Sequence, residues 1–251
     1  MTKEPRNSKQ TLLFHCTNSD SLNCILKSQY FRYSYCLEPH VIPNNRGKFC
    51  IQNFAFAMVC FADLLEDELE RHMKQFHSDS FIIMEKQWAM NNRISPVLYY
   101  YDKSLSLLAI KGIIKQIDFS SENLLMKSTE LLMPFLKPYQ GKYFLKCTNK
   151  ESNEIVQFYL EREWRSFPFI TDRKRLFLTE EEFLDEKFRD INTKEIEASY
   201  RLSFAWENIL KIGCPNEKKD EIVQTIKDTF HISTEEALDK IINWEVKNNI
   251  N

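Results

Sequence analysis

Residues 156 to 169 read VQFYLEREWRSFPF, apolar and aromatic at both ends, with four charged side chains in the five positions from Glu161 to Arg165. Flanks of this kind favour a strand. On a strand, Phe158, Leu160, Arg162 and Trp164 share one face, and Tyr159, Glu161, Glu163 and Arg165 share the other. Two carboxylates ~7 Å apart along a strand face are suited to breaking a glycosidic bond. One stabilises the oxocarbenium-like carbon, and the other acts on the incoming nucleophile. The plainer reading is a surface face on which the two glutamates pair with Arg162 and Arg165, each pair contributing about 0–1 kcal/mol.

A second set stands near the start, in LFHCTNSDSLNCIL, where His15 and Thr17 sit on a short apolar strand just before a turn and a helix. They read either as groups that hydrogen-bond a sugar or its phosphates, or as a core histidine on a backbone carbonyl with Thr17 as a cap. Asp63, after the apolar run FAMVCFA, could cap the following helix.

Composition removes several classes. Among 251 residues only 4 are Gly, and no glycine-rich loop exists, which disfavours a P-loop, a dinucleotide-binding fingerprint and a kinase loop. The net charge of −2 gives no global basic field, so nucleic-acid contact would need a local patch. Arg173, Lys174 and Arg175 in DRKRLF form such a patch beside the glutamate stretch; a solvated turn accounts for them as well. The seven Cys form no C-x-x-C pair and the five His show no zinc spacing, so we expect reduced thiols, a cytoplasmic protein and no metal. No apolar run is long enough for a membrane span.

The elements that must carry these residues read as mixed. TLLFHCT is a strand, and NSDSLNCILKS a helix with Asn18, Ser19 or Asp20 as its cap. Residues 36 to 52 carry Pro39 and Pro43 without clear periodicity and read as loop. NFAFAMVCFADL reads as a buried strand entering the acidic helix DLLEDELERHMKQF. SFIIMEKQW and PVLYYYD are further strands, and residues 104 to 137 look helical. GKYFLKCTNKESNEIVQFYLEREW has the pattern of a hairpin. Thr179 and Glu182, and Ser233 and Glu236, stand at capping-box spacing. The pattern predicts a single α+β domain over residues 1–251, with a core at 11–211 and C-terminal helices at 212–251.

His-x-Thr on an early strand and Glu-x-Glu on a later one resemble the ADP-ribosyltransferase superfamily, and FHCTNSDSLNCIL is similar to its DNA-modifying DarT branch. A further resemblance covers roughly residues 12 to 211. LFHCTNSDSLNCILKSQYF, FAMVCFADL, KQWAMNNRISPVLYY, LKPYQGKYF, FYLEREWR and LSFAWENILKI follow, in order, the bacterial abortive-infection family AbiGi. The chain departs from that pattern at Ser78, Asp79 and Ser80, where the family has glycines. AbiGi is often described as the antitoxin half of a phage-resistance pair.

The transferase resemblance implies an ADP-ribosyltransferase-like fold of two small packed sheets with peripheral helices. It implies a phage-defence toxin that moves ADP-ribose from NAD to a macromolecule, leaning towards RNA or DNA, and releases nicotinamide. Glu163 would hold the ribose 2′-hydroxyl and stabilise the cation; Glu161 would serve the acceptor. His15 would meet the ribose or diphosphate side, Thr17 the nicotinamide amide, and Arg165 or Arg46 the diphosphate. Tyr33, Tyr35 and Phe54 would stack the nicotinamide or belong to the core. Such a toxin implies a cognate antitoxin or neutralising protein. The alternative, from another class, is a non-enzymatic antitoxin or phage-sensing component that uses the fold to bind a partner.

Overall fold

The computed structural model describes residues 10–43, 48–116, 124–142, 144–145, 150–151, 154–168 and 176–244. The chain is mixed α+β and divides into two compact units, each drawn from segments far apart in sequence.

The first unit comprises Met1–Phe31, Cys60–Arg93 and Leu202–Asn251. Its central strand is Leu12–Thr17, antiparallel on one side to the end of Phe49–Leu64 (Phe14 opposite Ala62) and on the other to Ser80–Met84 (His15 opposite Ile82). Ser80–Met84 is buried at every position, as the apolar run Phe81 to Met84 requires of a strand covered on both faces. It pairs in turn with Ile209–Cys214, which lies parallel to Ile241–Asn243. Gly213 stands opposite Phe81, and a Cβ there would come 2.2 Å from the Phe81 ring.

Helix Ser19–Ser28 starts where Asn18 accepts from the Ser21 amide, as its sequence predicts. It packs on helix Lys219–Phe230 through the buried Asn23, which donates to Glu221 at 2.6 Å and accepts from Thr225 at 2.6 Å. Helix Glu66–Gln75 adds Leu69 and Met73 to a core with Phe14, Leu64, Phe81 and Ile83. Ser233 and Glu236 form the expected capping box of helix Thr234–Lys240. Asp63 is no helix cap: it stays in its strand, 2.7 Å from the Lys86 ammonium.

The second unit comprises Arg32–Val59 and Ile94–Arg201. Residues 36 to 52 are not the loop the two prolines suggest. Ser34–Pro43 and Phe49–Leu64 pair antiparallel from Ser34 opposite Met58 to Pro43 opposite Phe49. Pro39 and Pro43 lack an N–H to give the ladder, and a strand bonded to a single described neighbour tolerates them. Phe177–Thr179 pairs with the same long strand (Leu178 opposite Ala55). Thr179 and Glu182 then cap helix Glu180–Leu184 as their spacing predicts.

The helical reading of residues 104 to 137 holds in two pieces, Leu105–Lys115 and Leu124–Leu132. Pro134 then stands at the start of a short 3-10 turn, Met133–Phe135, and Leu136–Pro138 becomes a strand parallel to Leu98–Tyr100. That register sets Lys137 beside Tyr99. Among the described residues no helix is long and apolar enough to cross a membrane.

Candidate functional site

The stretch that motivated the chemistry is not one strand. Phe158–Glu161 is a 3-10 turn, Arg162 is left-handed (φ 41°, ψ 51°), and only Glu163–Ser166 is extended, paired with Ser95–Pro96. A non-glycine residue in that region is uncommon. Here it breaks the face alternation and brings Glu161 and Glu163 to one cation rather than spacing them along a strand.

That cation is Lys137. Its Nζ lies 2.7 Å from Glu161 Oε2 and 2.6 Å from Glu163 Oε2, with Glu38 Oε1 at 3.8 Å and the Phe158 ring beneath it at 4.8 Å. Arg165 lies on the same strand face as Glu163 and binds it twice, Nε to Oε1 at 2.8 Å and Nη2 to Oε2 at 2.9 Å. Its guanidinium also donates to Glu38 and to the Pro134 carbonyl. The side chain of Arg165 is 0 % exposed, and Lys137, Glu161 and Glu163 are buried with it. Tyr99 Oη accepts from the Glu163 amide, and the Tyr99 ring meets Tyr159 edge-on. Tyr159 in turn stacks on Tyr139.

Among the described residues three carboxylates face two cations, one net negative charge when all five groups are ionised. The excess falls where hydrogen bonding is incomplete. Among the described residues Glu161 Oε1 and Glu38 Oε2 are buried without a hydrogen-bond partner. Burial pushes Glu161 up to about 7, with repulsion from Glu163 and Glu38 adding to it and Lys137 opposing it. Burial alone would lower Lys137, but the three glutamates outweigh it and hold the ammonium well above its ordinary range. His40, buried near Arg165, is lowered to about 3, chiefly by burial and then by that guanidinium. Tyr100 is raised to about 12 by burial and Glu38.

His15 and Thr17 lie in the first unit, whereas Glu161, Glu163, Arg165, Tyr33, Tyr35 and Phe54 lie in the second. His15 Nδ1 is 2.9 Å from the Cys60 carbonyl, and its ring packs on Phe31 and Phe61; burial lowers its pKa. The carbonyl contact is the one the plainer reading expects, on a half-buried ring. Thr17 ends its strand opposite Ser80. Tyr33 and Tyr35 are core residues, Tyr33 bonded to the Ser166 hydroxyl at 2.8 Å. Phe54 packs edge-on against Phe177. Arg165, expected at a diphosphate, is consumed by Glu163 and Glu38. Arg46, Arg173, Lys174 and Arg175 lie outside the described residues.

Sequence reasoning missed Lys137 and Glu38. The available signal was a charged residue between apolar neighbours, Leu136-Lys137-Pro138 and Leu37-Glu38-Pro39, in stretches otherwise fit for burial. The arrangement clamps four elements together through buried ion pairs; removing one partner would strand the others in a low-dielectric interior.

The family model described as "Putative abortive phage resistance protein AbiGi, antitoxin" matches residues 29–214. The chain belongs to the AbiGi family. No curated protein matches the chain, and no solved structure does. The AbiGi match corrects the expectation of an ADP-ribosyl-transferring toxin: the family is described as an antitoxin, the role held by the alternative reading. The AbiGi match takes in the whole charge cluster, from Glu38 to Arg165.

Proposed function

We propose that this AbiGi chain is the antitoxin of an abortive-infection pair and neutralises a toxin protein by binding it. The observation that carries this reading is the antitoxin family match over residues 29–214. The glutamates support it. A carboxylate that stabilises a sugar cation must reach the reacting atoms, but both oxygens of Glu163 are bonded to Arg165 or Lys137 inside a buried network. In this reading the cluster holds a binding surface rigid, and NAD has no part. The α+β scaffold, ADP-ribosyltransferase-like in its His15-x-Thr17 and Glu-x-Glu motifs, serves recognition, and the pair acts in the cytoplasm.

Growth of a bacterial host tests the proposal. The chain alone should leave growth unchanged, the toxin of the pair alone should arrest it, and co-expression should restore it. Arrest by the chain alone, or no restoration at matched expression, would sink the reading.

A further inference from the structure

Helix Leu105–Lys115 reads LSLLAIKGIIK and is apolar around most of its circumference. Its inner face is accounted for. Leu107 and Ile114 are buried, and Leu107 forms a small core with Tyr100 and Leu136, against Val41, Ile110, Leu132 and Met133. At about 100° per residue the opposite face is made by Leu105, Leu108, Ala109, Gly112 and Ile113. All five are exposed, Leu105 at 84 % and Leu108 at 58 %. A Cβ on Gly112 would meet nothing within 4 Å, so the face is open at that position. No polar side chain interrupts it. Single exposed apolar residues need no explanation, but a contiguous apolar helix face marks an interaction site.

The charges beside this face select its occupant. On one flank stand Lys111 and Lys115, whose ammonium groups lie 5.5 and 5.8 Å from the Phe49 ring centroid. The other flank carries Ser106 and Ile110, which are uncharged. A second copy is a poor match. Two-fold pairing of antiparallel helices lays one lysine flank against the other, and parallel pairing aligns the two helix dipoles. A different protein with an apolar groove and carboxylates along one rim satisfies both the face and its flank.

We propose that the outer face of helix Leu105–Lys115 is the surface on which the toxin docks, with its acidic rim over Lys111 and Lys115. This rests on the antitoxin reading above.

The probe is the purified protein encoded by the gene beside that of this chain, titrated against the full-length chain at low and high salt. The Leu105→Glu/Leu108→Glu variant should raise Kd about 100-fold or more. The Lys111→Glu/Lys115→Glu variant should weaken binding about tenfold and flatten its salt dependence, as rim charges act mainly on association. Both should keep the unfolding transition of the wild type. Should the leucine variant lose it, Ala109→Glu at the centre of the same face reads the same contact. Equal binding by the leucine variant and the wild type would overturn the docking face while leaving the antitoxin reading intact. If the wild type neither binds the probe nor restores growth, both readings fail. A wild type that self-associates in sedimentation, with a monomeric leucine variant, would assign the face to a second copy and overturn the proposal.

Discussion

Glu163 and Arg165, two residues apart on one short strand, hold each other in a two-pronged ion pair at 2.8 and 2.9 Å. Because alternate residues of a strand share a face, the pair is formed by local geometry. It is completed by groups from far along the chain: Lys137 on Glu163, and Glu38 with the Pro134 carbonyl on Arg165.

Loss of Arg165 should be severe. Arg165→Met removes one of the two buried cations described against Glu38, Glu161 and Glu163 and should destabilise the chain by about 3–5 kcal/mol. Arg165→Lys should also destabilise it, because an ammonium cannot reproduce the forked contact. Urea unfolding of the two variants and the wild type checks this; an unchanged midpoint for Arg165→Met would refute the structural role of the cluster.

Glu161 should make stability depend on pH. Its pKa rises from an ordinary 4.5 to about 7 in the folded chain. The folded state therefore holds this proton more tightly than the unfolded chain. The contribution is whole below 4.5 and is lost as pH rises through about 7. His40 works in the other direction: lowered from 6.5 to about 3, it favours the folded chain above 6.5 and ceases to do so as pH falls through about 3. Comparing Glu161→Gln with the wild type cancels the His40 effect. The variant should gain on the wild type between about pH 5 and 8, by up to about 3 kcal/mol. A stability difference flat across that range would count against a proton held on Glu161.

Glu163→Gln separates a structural from a catalytic glutamate. The amide keeps the shape but gives up charge-assisted bonds to Lys137 and Arg165, so the melting temperature should fall by several degrees. At a temperature where the variant is folded, it should still neutralise the toxin. A folded variant that no longer restores growth would put Glu163 itself in the function.

Gly213→Ala should cost about 1–3 kcal/mol by overpacking, because the new methyl would meet the Phe81 ring at 2.2 Å. Phe81→Leu opens that space, so the double variant should be less destabilised than the two single effects predict together. Strict additivity in thermal unfolding would show that the two positions do not touch.

What the sequence determined is what short-range physics controls. Leu12–Thr17 is a strand because its apolar run is short and ends in Asn18, which caps the next helix. Thr179 with Glu182 and Ser233 with Glu236 start helices because each satisfies amides three residues away. The AbiGi family was legible as well. Tertiary structure decided the rest. The left-handed Arg162 broke a run whose composition favours a strand, and Pro39 with Pro43 entered one because the long strand beside them supplied the ladder. The cluster could not be read locally: Lys137 meets Glu161 across 24 positions, and Arg165 meets Glu38 across 127. Local spacing sets the Glu163–Arg165 pair, but the rest of the cluster depends on dielectric surroundings that only folding creates. Once folding buries a carboxylate, only a cation brought by the tertiary structure offsets its lost hydration, and no local spacing specifies which cation that is.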